Sequence, residues 1–490
     1  MASLSSLGVG SGLDAENIVT SLVALERKPA EAIKAENTKL DTKVSTWGKI
    51  QSAFSSLQDA AKALNTNDFW TATKATSSDA TAVGVTTSAN SAPGAYSVTV
   101  QSLASSQYVA SSAFSSKTSP VGTGTLTIKF GTYGLDPADL DANGQPQSDP
   151  PAITLLAKAA ASQLDITIGP DDNTLEKIRD KINAAGAGIT ASLVNDVTGT
   201  RMVLRGATGA ENAFKVTATE NPAAPGLSAL AYDASTGGTS QMTRTQTASN
   251  AQATINGLAV SSGSNTMTDV VDGLTLQLSK VSATPINIEV NRDTDAIRKG
   301  IDTFVSAYNN VVSTIRVQSK YDETSKTAGP LQGDSTARGL LSQIRNLIGS
   351  SSGASSVFDR LSDIGLDIQT DGTLSVKSDK MNSAMNNLGE LKKFFANSDT
   401  GNVGNDGLSQ RISSLTAQLL GTDGAINSRT DGIKGLIERN KDKIERIDVK
   451  AAMAEARLRA QYTLLDANMA KLNGLSSYVT AQLAALNKNN

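Results

Sequence analysis

Eight residues recur at sevenfold spacing near the C-terminal end: Ile437, Ile444, Ala451, Leu458, Leu465, Leu472, Val479 and Leu486. Only a helix places residues seven apart on one face, so this row predicts a long coiled-coil-like helix. The second core row of the same heptad is much poorer. It reads Asn440, Ile447, Ala454, Gln461, Asn468, Leu475 and Gln482, polar at four of seven places. Such a seam sets register and buries little, so the helix is expected to fray in an isolated chain and to order fully against partners. The other end carries a counterpart. Asp14 is an N-cap ahead of a stripe at Ile18, Leu22 and Leu25, and Pro29 is expected to interrupt it. A second stripe follows at Ile33, Leu40, Trp47, Phe54 and Ala61, with Ile50, Leu57 and Leu64 at the complementary spacing. Stripes of this kind usually pack within their own chain. Here the length, the half-polar seam and the matching stripe at the far terminus favour packing between chains.

From residue 78 to 295 the period changes from helical to alternating. AYSVTV sets Tyr96, Val98 and Val100 against Ser97, Thr99 and Gln101, and TLTIKF does the same with Leu126, Ile128 and Phe130. LDITI, ITASLV, FKVTA, LTLQL and INIEV repeat the pattern between Gly, Pro, Asn and Asp turns. Antiparallel sheets with one wet face fit best. One helix intrudes, with Asn173 and Glu176 reading as a capping box and Leu175, Ile178 and Ile182 sharing a face. After Asn291 the helical period returns at Ile297, Ile301, Phe304, Tyr308, Val311 and Ile315. Helices are expected over 340–348, 381–395 and 408–419, with an Asp371-Gly372 hairpin between two of them. Helical ends can pair only if the chain goes out and returns. The expected fold is therefore α+β and multidomain, a helical stalk carrying an inserted antiparallel β head of two small domains. The boundaries read as a leg helix at 1–40 pairing with a coiled-coil leg at 430–490, a mainly helical stalk of 41–77 with 296–429, a β head of 78–112 with 250–295, and an outer β domain at 113–249.

Composition narrows the function. The chain has no histidine and no cysteine. This removes the commonest general base, every Ser-His-Asp arrangement, thiolate chemistry and zinc–cysteine sites. A net charge of -3, with Lys and Arg scattered, argues against nucleic acid as a partner. The opening MASLSSLGVGSGLDAENIV lacks the basic and apolar regions of a cleavable signal, and no apolar run is long enough to span a membrane.

Three motif-like stretches have bland readings that serve better. Asp139-Leu140-Asp141-Ala142-Asn143-Gly144 begins like a calcium loop, but Pro150 stands where the bidentate Glu belongs, so a surface turn is expected. Gly8-Val9-Gly10-Ser11-Gly12 follows no strand and lacks the Lys-Ser/Thr of a phosphate loop. The carboxylate pairs Asp171/Asp172 and Asp293/Asp295 precede helices, where negative charge favours the macrodipole. No catalytic residue, cofactor or metal ligand is expected.

Longer stretches resemble a known family. GVGSGLDAENIVTSLVALERKP from Gly8, ATINGLAVSSGSNTMTDVVDGLTLQL from Ala253, FVSAYNNVV from Phe304 and FDRLSDIGLDIQTDGTLSVKSDKM from Phe358 are similar to flagellar hook-associated protein 2, the filament cap. The run from Ile166 to Gly206 resembles a short repeat of flagellar axial proteins, and the segment near 113–160 matches nothing. The resemblance implies a protein exported uncut through the flagellar type III channel with a cytoplasmic chaperone. It implies a ring of identical copies, a pentamer being expected, that sits at the filament tip beside flagellin and the hook-associated junction proteins. Host glycan or mucin is a further partner that the family brings in. The residues expected to pair the legs and dock on filament subunits are Leu22, Leu25, Ile33, Leu40, Ile437, Ile444, Leu458, Leu465, Leu472, Val479 and Leu486. The competing readings are a hook–filament junction protein or other axial protein, an adhesin with a β head on a helical stalk, and a carboxylate-dependent glycosidase.

Overall fold

Leucine, tryptophan and phenylalanine at sevenfold spacing from Leu40 onward make one continuous helix, α1 (Ala15–Leu64). The computed structural model describes residues 12, 14–89, 91–158, 163–186, 188–324 and 326–487, with the side chains of 269, 486 and 487 outside that description. After α1 come α2 (Asn67–Thr71), a β region holding α3 (Leu175–Ala184), then α4 (Thr294–Ser319) and α5 (Ser335–Gly349). The chain closes with α6 (Ser378–Met385), α7 (Leu388–Ala396), α8 (Leu408–Leu420) and the 63-residue α9 (Ala425–Asn487). It divides into two compact units, residues 1–70 with 294–490 and residues 71–293.

The helical unit is built on α1. Trp47, Ile50, Phe54, Leu57, Ala61 and Leu64 are fully or almost fully buried among Ile301, Phe304 and Val311 of α4, Ile344 of α5, Phe395 of α7 and Ile412 of α8. Each of the larger aliphatic and phenyl side chains among them contributes roughly 1.5–3 kcal/mol through burial. Phe304 and Phe394 both meet Phe395 edge-on, and Trp70 stacks on Phe395 at 5.9 Å. The Asp371-Gly372 turn forms as expected, joining the paired strands Leu366–Ile368 and Leu374–Val376. Gly372 has φ +86°, which favours glycine, and a Cβ there would also push the Arg345 guanidinium aside. Helix α4 clamps the same hairpin. Tyr308 Oη donates to the Gly372 carbonyl at 2.9 Å, and Asn309 exchanges two hydrogen bonds with the Leu374 backbone.

The β unit has two cores. In one, a five-stranded antiparallel sheet runs in the order Thr73–Ser77, Ile286–Arg292, Gly94–Ser102, Ala251–Ile255, Leu258–Ser262. A three-stranded sheet of Thr266–Val271, Leu274–Leu278 and Val83–Thr87 shares its core, in which Val98, Val100, Leu276 and Ile288 are buried. Asn256 and Gly257, both at positive φ, turn the last hairpin of the larger sheet. In the other core, α3 sets Leu175, Ile178 and Ile182 against Leu126 and Ile128 of Gly124–Leu135 and Met202 and Leu204 of Gly199–Thr208.

Several local expectations are corrected. Pro29 does not interrupt α1. It lies on an exposed stretch, where the carbonyl freed by its missing N–H can reach water. Helix α1 runs through the boundary expected at 40/41, and from Leu40 onward it enters the main core. The single helix expected over 381–395 is two, because the Asn387 side chain caps a new start at the Glu390 N–H. No capping box opens α3. Thr174 is its N-cap, the Asn173 carbonyl accepts from the Val121 N–H, and Glu176 pairs with Lys117 at 3.4 Å.

Candidate assembly interface: the paired chain ends

Asp14 starts α1 as expected, accepting from the Asn17 N–H at 3.1 Å and its side-chain amide at 2.6 Å. Those hydrogen bonds hold its carboxyl below the usual range. Helix α1 then runs antiparallel to α9. Gln51 bonds Asn427, Asn37 accepts from Asn440, Arg27 pairs with Asp448, Glu26 with Lys450, and Glu16 with Arg459, so numbers rise on one helix as they fall on the other. The Asn37–Asn440 pair is the polar seam position that fixes register. Arg459 forks onto Glu16 with bonds of 2.7 and 2.6 Å, which pushes its own pKa up and that of Glu16 down.

The expected docking residues divide along this pair. Leu40 and Ile437 are buried in the main core, and Ile33, Ile444 and Leu458 are half-buried. Leu22 and Leu25 are exposed, at 40% and 63%. So are Leu465, Leu472 and Val479. Leu486 lies outside the described side chains. What closes the distal pair is Val19 and Val23, which the sequence pattern did not single out, against Ala451 of the sevenfold row, with Leu458 and Tyr462 packed on them. Their signal was present as Ala15, Val19, Val23 and Ala30, spaced four, four and seven, a narrower stripe of small residues that lets the helices approach closely.

Past that cluster Asp466 and Met469 are still half-buried, and beyond them the described side chains of α9 are exposed. Every residue from 470 to 485 is exposed, and the helix as a whole is about 94 Å long at 1.5 Å per residue. Residues 472–487 contain no charge, yet Leu472, Leu475, Tyr478, Val479 and Leu483 all face water. A contiguous apolar row of this kind marks an interaction surface. No described helix is long and apolar enough to cross a membrane.

The other candidate sites resolve into turns and pairs. Asp139 accepts from Ser148 Oγ and the Ala152 N–H, and Asp141 from the N–H groups of Asn143 and Gln145. Asp172 pairs with Lys181. Asp295 lies in the first turn of α4, as its sequence position suggested. The glycine run from Gly8, apart from Gly12, lies outside the described residues.

Long chain ends paired with each other, and one of them bare over its last turns, belong to a protein built for helix-to-helix assembly. The comparisons with known proteins give that class its members. Flagellar hook-associated protein 2 N-terminus matches residues 11–107, and flagellar hook-associated protein 2 C-terminus matches residues 248–474. The chain is 33% identical to flagellar hook-associated protein 2 of Escherichia coli K12, covering 98% of both chains. It is 30% identical to that of Salmonella typhimurium over 100% of both. The structure is similar to that of the D1-D2-D3 domains of the flagellar cap protein FliD from Escherichia coli, with a TM-score of 0.62 and 28% identity over 79% of this chain and 99% of that one. The chain belongs to the flagellar hook-associated protein 2 family.

Proposed function

We propose that the chain caps the distal tip of a flagellar filament, where it promotes flagellin folding and polymerisation and prevents loss of flagellin to the medium. It works by packing, with no chemical step. The bare apolar row of α9 carries the reading, because an uncharged helix end with exposed leucines gains most of its stability only when a neighbour covers it. Leu22, Leu25, Leu465, Leu472 and Val479 are the residues offered to neighbours, and Leu40 and Ile437 anchor the leg to its own body. Copies of the chain form a ring, five being the expected number, above an open site into which the next flagellin folds. Weak legs suit repeated release and re-engagement as subunits are added. Export through the flagellar type III channel with a cytoplasmic chaperone, contact with the hook-associated junction proteins, and a host glycan or mucin as a further partner belong to the same proposal.

Deletion of residues 460–490 tests it. The truncated chain should keep both folded units, fail to support filament growth and let flagellin leak into the medium. Normal filaments from that strain would overturn the reading. Gold labelling confined to the filament tip, against the junction or the shaft, separates a cap from other axial proteins.

A further inference from the structure

The contacts between α1 and α9 change character at Pro29. On its N-terminal side the helices meet through one small cluster, Val19 and Val23 with Ala451, Leu458 and Tyr462. The ion pairs that join the two helices within 4 Å, among the described residues, all lie on this side as well. They are Arg459–Glu16 at 2.6 Å, Arg27–Asp448 at 3.6 Å and Lys450–Glu26 at 3.8 Å. On the C-terminal side the cross-links are neutral amides, Asn37–Asn440 and Gln51–Asn427, and from Leu40 onward α1 enters the main core. Between the two regions, from residue 24 to 39, only Ala30 is buried. Pro29 sits in that gap and leaves the Leu25 carbonyl without its helical donor.

We propose that Pro29 is the hinge of a salt-sensitive latch, at which residues 15–28 release from α9 and rebind as a unit while the rest of α1 stays packed. So short a helix is marginal once detached, so release melts it and uncovers the seam at Ala451, Leu458 and Tyr462. Exposed ion pairs are screened by salt, with the Debye length falling from about 10 Å at 0.1 M to about 3 Å at 1 M. Apolar contacts are not weakened this way. Salt therefore acts most strongly on the segment that carries the short cross-helix ion pairs, since the attractions beyond Pro29, Lys34 to Asp448 and Lys441 to Asp41, act over longer distances. This inference rests on the reading of the chain ends as docking legs, and it supplies the step by which a leg lets go.

Hydrogen exchange of the full-length isolated chain at low salt and at about 1 M sodium chloride tests the latch. Exchange over 15–28 should accelerate on the order of tenfold with salt, while exchange over 40–64 stays unchanged. No acceleration over 15–28, or equal acceleration in both segments, would overturn the proposal. Pro29→Ala provides a second test, because it restores the missing N–H and with it a helical donor for the Leu25 carbonyl. It should slow exchange over 15–28 at both salt concentrations, and an unchanged rate would overturn the hinge. The exchange readout uses the isolated chain, so it stands or falls separately from filament growth, which tests the docking reading.

Discussion

Arg459 holds Glu16 through two parallel hydrogen bonds, Nη1 to Oε2 and Nη2 to Oε1, although the residues lie 443 positions apart. Both groups are partly exposed, so the pair makes a modest, salt-screened contribution to stability and also fixes orientation. It places the start of α1 against the point where α9 begins to run bare. The chain ends are thereby aligned without being buried.

That pair gives the distal leg an acid dependence. The Arg459 hydrogen bond holds the Glu16 carboxyl below its ordinary value. A depressed carboxylate contributes fully above its unfolded pKa and loses its contribution as pH falls through the folded one. At pH 7, Glu16→Gln should speed hydrogen exchange over 15–23. The difference from the native chain should shrink as pH drops through the carboxylate range. A difference independent of pH would assign the effect to packing.

The main core should respond quite differently. Phe304→Ala removes a fully buried ring from the cluster around Phe395 and should cost about 3–5 kcal/mol. Both tryptophans of the chain, Trp47 and Trp70, belong to this core. Their fluorescence in urea therefore reads the helical unit alone, and an unshifted midpoint would contradict the packing described.

The hairpin clamp is open to two substitutions. Tyr308→Phe leaves the Gly372 carbonyl without its donor and should cost about 1 kcal/mol. Burial pushes the Tyr308 hydroxyl up to about 12. Its contribution is complete below the ordinary tyrosine value and disappears as pH rises through about 12. The native chain should thus lose its advantage over Tyr308→Phe in alkali, as urea midpoints between pH 8 and 12 would show. Gly372→Ala meets both a positive φ and the Arg345 guanidinium and should cost more than the lost hydrogen bond.

Glu390 anchors the loop before Phe358. Its carboxylate accepts from Lys393, from Ser355 and Ser356 Oγ, and from the Ser356 N–H, and the Lys393 bond leads in drawing its pKa down to about 2. The anchor is complete above the ordinary glutamate value and is lost as pH falls through about 2. Glu390→Gln should weaken the helical unit at pH 7 and match the native chain near pH 2, by thermal melts followed at both values.

Much of this was legible in the residues. Sevenfold rows at Leu40, Trp47 and Phe54 and at Ile437 gave the long helices, because large side chains at fixed spacing have one way to share a face. The Asp371-Gly372 turn was equally plain, since a positive φ admits few residues. The distal seam was legible only on α9, where Ala451 and Leu458 stand in the sevenfold row, and on α1 size was taken as the guide. Leu22 and Leu25 drew attention, yet the small residues Val19, Val23 and Ala451 make the contact. Two other misreadings have different causes. At Pro29 the stretch is exposed, so the carbonyl freed by the missing N–H can reach water and α1 continues. At Asn173/Glu176 a tertiary neighbour overrides the local tendency, because Lys117 takes Glu176.

Hydrogen exchange across residues 460–487 of α9, compared between the free chain and the chain bound at filament tips, addresses the docking of the bare helix most directly. In the free chain these amides should exchange close to the unprotected limit, and at the tip they should become protected to the level of residues 40–64. Strong protection of 460–487 in the dilute free chain, unchanged on assembly, would contradict it.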